Sequence, residues 1–312
     1  MTTVKRKNLS ARKIRSTVFI TVMLALPLLQ FLVFTLYTNI NTFIMAFQMD
    51  DGKGRAVFAG FYNIRSFITE WKIGGGMWPR AILNSLGYLP MTVLVNLPVS
   101  IIVAYFLFKK VPLAGLYKVI FFFPNVISVV VMALAFRSMF DYSTGPVNNL
   151  LTNVFGVSKD SLPIWLMDEK LTMPLLYLYA LWAGIGYNCI LLFGAFARVP
   201  KEIEESAALD GCGVWREIFG IYIPIMWPTI TTMTVFGIST VFGMFIHTQV
   251  LTNSMGSNGS TWTIASLIMG KIKSNVDKYS AAMLSILVTV IGVPSILLTK
   301  KGMEKVIDTV EV

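Results

Sequence analysis

The chain has 312 residues, of which 55% are hydrophobic and only 13% charged, with a mean hydropathy of +0.69. Soluble domains carry about 25% charged residues, so an ordinary cytosolic enzyme, a disordered tail protein and a disulfide scaffold are excluded. The net charge of +10 fits a membrane protein better than a nucleic-acid binder, because cytoplasmic loops collect Lys and Arg.

At roughly 20 apolar residues per helix, the chain has room for about six spans and modest loops. Residues 1–15 form a basic arm, with Lys5, Arg6, Lys7, Arg12, Lys13 and Arg15 and no acid. The uncharged run that follows is too long for the core of a signal peptide, and a first span is predicted over 17–38. Residues 47–80 turn polar and glycine-rich and read as a loop. The second span is predicted over 81–108, closed by Lys109-Lys110-Val111-Pro112, and the third over 116–136. A long loop comes next, with a short interfacial helix at 146–155.

The fourth span is predicted over 173–197, closed by Arg198-Val199-Pro200. After a charged segment comes the longest charge-free run in the chain, between Glu217 and Lys271. Its polar centre, 251–260, leaves a fifth span at 222–249. The apolar piece 262–270 is too short to cross and is expected along the membrane surface. A sixth span, 279–299, leads to a tail starting Lys300-Lys301. The fold class is thus an all-α polytopic membrane protein: a basic arm 1–15, a six-span unit 16–300 with a connecting loop 198–222, and a tail 301–312. Six spans put both termini on one side. That side holds the arm, the loops 109–118 and 198–217 and the tail, and its excess of Lys and Arg makes it cytoplasmic. The alternation of a membrane β-barrel strand is absent.

No Asp, Glu, Lys or Arg lies well inside a predicted span. This argues against proton- or ion-coupled transport, which uses such groups. The single histidine, His247, reads as an interfacial residue near the outer end of span five. Cys189 and Cys212 have no metal or redox spacing, no phosphate-cradling GxxxxGK[ST] occurs, and no nucleophile–base pair is seen. The chain is therefore expected to be no enzyme and to bind no cofactor or metal. Asn125, Trp182, Tyr187, Asn188 and Gln249 bring amides and rings into the spans. Together they suit a neutral, hydroxyl-rich solute; singly, each could serve interhelical hydrogen bonding. Prolines in or near the spans kink helices by removing a donor, as a bundle that rearranges can use.

The stretch 200–213 predicts a short helix. Pro200 suits its first turn, Glu202, Glu204 and Glu205 sit toward its positive end, and Gly211 and Gly213 stop it. Ser206, Ala207 and Ala208 give it a centre of small side chains that another protein can approach. Trp215, Ile218, Phe219 and Tyr222 then recur at helical spacing.

Glu205-Ser206-Ala207, three residues, Gly211, nine residues and Ile221-Tyr222-Ile223-Pro224 resemble the EAA motif of ABC importer permeases, EAA-x3-G-x9-I-x-L-P. Asp210-Gly211 resembles the DG of sugar permeases; Ser206 and Ile223 depart slightly from the pattern. Gly60 with Asn63, Asn84-Ser85, Gly145 with Asn148, and Leu251-Thr252-Asn253 resemble further segments of the MalF/UgpA-like carbohydrate permeases. The resemblance spans about 17–300.

The resemblance implies a type I importer fold, in which the helix around Glu205, Ser206, Ala207, Asp210 and Gly211, with Ile221 and Pro224 behind it, couples to a separate ATPase. The implied assembly has a second homologous permease, two ATPase subunits that bind ATP and Mg, and an extracellular solute-binding protein. A saccharide, or related polyol, crosses the bilayer between the two permeases. The small loops imply fewer binding-protein contacts than members with a large external insertion. The same fold moving an amino acid, peptide or phosphate is one alternative, and a stand-alone channel or secondary transporter is another.

Overall fold

The computed structural model describes residues 3–253, 256–273 and 277–306, with side chains from residue 13 onward. A helix whose backbone starts at Thr3 carries α1 (Lys13–Ala46) and leads to a hairpin, β1 (Gln48–Asp50) and β2 (Ala56–Phe58). Then follow α2 (Tyr62–Ile73), α3 (Met77–Phe108), α4 (Ala114–Val126), α5 (Val129–Met139) and α6 (Pro146–Asn153). The remaining helices are α7 (Thr172–Phe196), α8 (Lys201–Leu209), α9 (Val214–Val241), α10 (Ile246–Thr252), α11 (Ile264–Lys273) and α12 (Lys278–Val306).

Among the described residues, α1, α3, α7, α9 and α12 are each long and apolar enough to cross a membrane. The predicted third span is not one helix. α4 and α5 meet at 109° across Ile127 and Ser128, both extended, so they form a broken span or a re-entrant pair. The predicted loop 47–80 is largely structured, holding the hairpin, α2 and the first turn of α3. The predicted fifth span, 222–249, is shifted: α9 starts at Val214, inside the charged segment, and ends at Val241, and 246–252 is a separate helix.

The short apolar piece expected on the membrane surface is α11, whose Ile264, Ala265, Ser266 and Ile268 are buried. Its first turn is fixed reciprocally: Thr263 N–H donates to Ser266 Oγ at 2.8 Å and Ser266 N–H to Thr263 Oγ1 at 3.1 Å. The helix rests on α3, where Ile264 N–H donates to Ser85 Oγ at 3.0 Å.

The helices α3 and α9 each contain a stretch of π-helix, Met91–Asn96 and Ile218–Tyr222. Each stretch spans the carbonyl four residues before a proline, Leu94 before Pro98 and Gly220 before Pro224. That carbonyl would collide with the ring in a regular α-helix, and a wider turn makes room for it; the π stretch Phe31–Tyr37 of α1 has no proline at that spacing.

The chain divides into two compact units, residues 1–68 with 277–286, and residues 69–276 with 287–312. In the first unit, β1 pairs antiparallel with β2, Gln48 opposite Phe58. The hairpin turn is closed by side chains: Gly52 N–H donates to Asp50 Oδ1 at 2.8 Å and Lys53 N–H to Asp51 Oδ1 at 2.8 Å. Buried Asn63 donates from Nδ2 to Ala46 O at 2.7 Å and Gln48 O at 2.8 Å, tying α2 to the end of α1.

In the second unit, α7 is the central helix, packed on α3 and α4. Glycines permit the approach. A Cβ on Gly186 would stand 2.1 Å from Phe121 O, and one on Gly184 2.2 Å from Asn96 Nδ2. Small residues at helix crossings are how membrane bundles pack closely. A core around Ile101, Cys189, Phe196, Ile218 and Tyr222 fills the end of the bundle next to α8. A second core, around Tyr88, Phe136, Leu176 and Tyr179, fills the opposite end.

Candidate functional site

Two places in the second unit carry the chemistry that the sequence singled out: the α8 loop and a cavity along α7. The helix α8 opens after extended Pro200 and has Glu202 and Glu204 in its first turn. It ends as the glycine spacing requires. Gly211 adopts φ +67°, Cys212 N–H donates to Ala207 O at 2.9 Å and Gly211 N–H to Ala208 O at 3.2 Å. This is the reciprocal closure that favours glycine just past a helix end. A Cβ on Gly211 would meet nothing within 4 Å, so backbone conformation, not space, selects glycine.

The helix shows two faces. Ala207 is buried toward the bundle, whereas Glu205, Ser206, Ala208, Leu209, Asp210 and Gly211 are exposed. The distal part of the motif is internal: Ile221 and Pro224 are partly buried in α9, and Tyr222 between them is fully buried.

A charged network, not foreseen from the sequence, fastens α8 to the bundle. Lys109, just past the end of α3, lies 2.7 Å from Glu217 Oε1 and 3.6 Å from Glu204 Oε2. Tyr105 OH donates to Glu217 Oε2 at 2.6 Å, and Tyr222 OH to Glu204 Oε1 at 2.7 Å. Three of the four carboxylate oxygens therefore have a donor, and the fourth, Glu204 Oε2, faces the Lys109 ammonium as an ion pair only. The Lys109 ammonium also stands 5.8 Å and 5.4 Å from the ring centres of Tyr105 and Tyr222, within cation–π range. Partial burial works against the lysine charge. The hydrogen bond to Glu217 and the attraction of Glu204 and Glu217 outweigh it and hold the pKa above that of an ordinary lysine.

The cavity, of about 540 Å3, lies between α7, the α4–α5 break and the end of α9 with α10. Asn125, Tyr187, Thr240 and His247 bring polar groups to its wall, with the rings of Tyr179 and Phe245. A narrower recess of about 150 Å3 shares Tyr187, Gly184 and Thr240 with it and reaches Asn96 and Asn188. Among the described residues, no Asp, Glu, Lys or Arg lines either space.

The structure thus brings together Asn125, Tyr187 and Asn188 of the five pathway candidates. Asn125 Nδ2 donates to Ala183 O at 3.1 Å and so pins the α4–α5 break to α7. Asn188 Nδ2 donates to Asn96 Oδ1 at 2.9 Å and to Ser100 Oγ at 3.3 Å, which ties α7 to α3. The Tyr187 side chain is exposed, with its ring stacked at 6.1 Å on Phe236.

Trp182 and Gln249 do not line these spaces. Trp182 is stacked at 6.2 Å on Phe136, and Gln249 accepts from Lys273 Nζ at 2.9 Å. His247, read from the sequence as interfacial, lies on α10 at the cavity wall, 5.4 Å from the Tyr179 ring. Both its ring nitrogens are buried without a hydrogen-bond partner. Its being the sole histidine was the available signal, but an isolated side chain gives no hint of a cavity.

The scattered amide motifs turn out to be loop fasteners. Asn84 Nδ2 donates to Ser260 O and Trp262 O, both at 2.8 Å, holding the segment before α11 on α3. Asn148 donates to Tyr142 O at 3.0 Å and accepts from Trp165 Nε1 at 2.7 Å. Replacing Asn84 with alanine leaves two part-buried carbonyls without that donor, at a cost of about 1–3 kcal/mol. The expected result is a lower melting temperature and faster proteolysis within 256–263. An unchanged melting curve and cleavage rate would remove Asn84 from this role.

Long apolar helices, a bent α4–α5 pair and an exposed short helix with an EAA-type spacing are the features of a polytopic membrane permease. Residues 96–301 match the family described as binding-protein-dependent transport system inner membrane component, and the chain belongs to that family. It is 31% identical over 276 residues to the arabinooligosaccharides transport system permease protein AraP of Bacillus subtilis (strain 168), covering 87% of this chain and 84% of that one. It is 25% identical over 231 residues to the diacetylchitobiose uptake system permease protein NgcF of Streptomyces coelicolor, covering 68% of this chain and 65% of the other. A chain of a bacterial alginate ABC transporter, solved with an alginate pentasaccharide-bound periplasmic protein, superposes with a TM-score of 0.80 at 22% identity, covering 96% and 98% of the two chains. That likeness establishes the type I importer fold.

Proposed function

We propose that this chain is one of two permease subunits of an ATP-driven importer and forms half of the path for a saccharide handed over by an extracellular binding protein. The cavity carries the substrate reading: Asn125, Tyr187, Thr240 and His247 bring polar groups and rings to an otherwise largely apolar wall, and among the described residues no Asp, Glu, Lys or Arg lines it, which suits a neutral sugar. Permeases named for arabinooligosaccharides and diacetylchitobiose are among its relatives, which supports an oligosaccharide.

The exposed face of α8 docks into an ATPase subunit. ATP and Mg are held by two such subunits and not by this chain. The chain crosses the cytoplasmic membrane of a prokaryote several times, with both termini and α8 on the cytoplasmic side, where the basic arm belongs. The assembled complex is tested in proteoliposomes with its binding protein, using labelled arabinotriose, diacetylchitobiose and maltose beside a phosphate and an amino-acid control. Uptake of one of the sugars, dependent on both ATP and the binding protein, is the expected result. Uptake of phosphate or amino acid alone rejects the saccharide, and flux without ATPase rejects the importer.

A further inference from the structure

The α8 helix is joined to the spans by two short connections, 197–200 before it and 210–213 after it. The first is held by buried Val199 and by Arg198, whose Nη2 donates to Thr229 Oγ1 of α9, whereas the second contains Gly211 at φ +67° and Gly213. A push on α8 could be absorbed by bending there unless something else ties the helix to the bundle. The charged network supplies that tie. Lys109 belongs to the end of α3, Glu204 to α8, and Glu217 and Tyr222 to the first turns of α9, so one ammonium joins three elements far apart in sequence.

The network is only partly wet: side-chain exposure is 30% for Lys109, 25% for Glu204 and 13% for Glu217. Beneath it, Tyr105, Phe196 and Tyr222 pack edge to face, with ring centres 5.1–6.4 Å apart. Charges held against such a floor interact more strongly than on an open surface. The cluster bears one positive and two negative groups, and the two tyrosine hydroxyls occupy the carboxylate oxygens that the lysine leaves free.

We propose that Lys109 is a positioning residue that locks α8 to α3 and α9, so that movement of α8 is passed to the cavity. The proposal rests on the reading of α8 as the ATPase-docking helix. It assigns the transmission to three residues outside the EAA spacing proper. It also explains why α9 begins at Val214, within charged sequence, since Arg216-Glu217 form part of its first turn and Glu217 is neutralised there by Lys109.

The test uses the whole permease–ATPase complex in nanodiscs, with a cysteine placed at Tyr187 on the cavity wall. The rate at which a membrane-impermeant maleimide labels that site is followed by peptide mass spectrometry, which separates it from Cys189 and Cys212. In the parent, a non-hydrolysable ATP analogue should change the rate by about 5- to 150-fold, the range of ordinary coupling between sites. In Lys109→Met the ATPase should remain bound and hydrolyse ATP, while the change in labelling falls below about twofold. Lys109→Arg should keep the change.

If Lys109→Met responds to nucleotide as the parent does, the lock does not transmit. If Lys109→Met fails to assemble, Tyr222→Phe decides, since it removes the hydrogen bond to Glu204 and keeps the ring. A weakened response in assembled Tyr222→Phe supports the lock, and a full response overturns it. A parent that binds no ATPase would overturn the docking reading itself, and the lock with it; a parent that binds ATPase and responds, beside a Met variant that also responds, removes the lock alone.

Discussion

Replacing Leu209 with aspartate is expected to release the ATPase and stop uptake while the chain remains folded in the membrane. Leu209 is the last residue of α8 and is 90% exposed, beside exposed Ser206 and Ala208. A single leucine on a ledge of small side chains makes an anchor that a groove can receive, and anchors of this kind carry most of an interface's energy. Burying a leucine contributes roughly 1.5–3 kcal/mol, and the aspartate adds the penalty of burying a charge. A loss of about 3 kcal/mol corresponds to roughly 100-fold in affinity.

Folding should be spared because Leu209 faces away from the bundle. Ala207, two residues earlier and only 8% exposed, provides the contrast: Ala207→Asp forces a carboxylate against the core and should reduce the amount of folded protein. Co-purification of the ATPase, read beside detergent-resistant monodispersity, separates the two effects. If Leu209→Asp holds the ATPase as well as the parent does, the exposed face of α8 is not the docking surface.

The parts of this structure that were legible in the sequence are those governed by local rules. Charge-free runs mark α1, α3, α7 and α12 because a membrane span tolerates few ions. Gly211 marks the end of α8 because a left-handed residue is needed there. The α4–α5 break is hidden in the sequence because hydropathy averages over a whole span: Ile127 and Ser128 differ from their neighbours in backbone angle and hardly shift the average hydropathy. The start of α9 at Val214 is hard to read for the opposite reason. Trp215, Ile218, Phe219 and Tyr222 show helical spacing, but nothing local makes that piece one helix with the fifth span while it carries Arg216 and Glu217. Lys109, more than a hundred positions away, neutralises Glu217.

The same limit applies to the cavity. Asn125, Tyr187 and Asn188 are brought together by the crossing of α7 with α3 and α4. Trp182 and Gln249 have the same chemistry, but the turn of the helix in one case and the end of α9 at Val241 in the other place them elsewhere. Residue type indicates what a site can bind; the helix crossing determines which residues reach it.

That crossing is itself testable through a pair of glycines on α7. Gly186 and Gly194 lie in the same apolar helix, and alanine at either position improves intrinsic helix propensity by about 0.8–1 kcal/mol. Around Gly194 a Cβ meets nothing within 4 Å, so Gly194→Ala should stabilise slightly or be neutral. At Gly186 the added carbon would stand 2.1 Å from Phe121 O and 2.6 Å from Asn125 Nδ2. The backbone carbonyl cannot rotate away as a flexible side chain could, so α4 must move outward.

Overpacking of this kind costs about 1–3 kcal/mol, which exceeds the propensity gain and reverses the sign. The displacement also strains the bond from Asn125 Nδ2 to Ala183 O, which holds the broken span at the cavity wall. Gly186→Ala is therefore expected to lower the melting temperature by about 2–4 °C per net kcal/mol and to weaken saccharide uptake, and Gly186→Val to do more of both. Thermal scans of the two alanine variants in one detergent provide the comparison. Equal shifts for Gly186→Ala and Gly194→Ala would mean that α4 and α7 do not meet at this glycine.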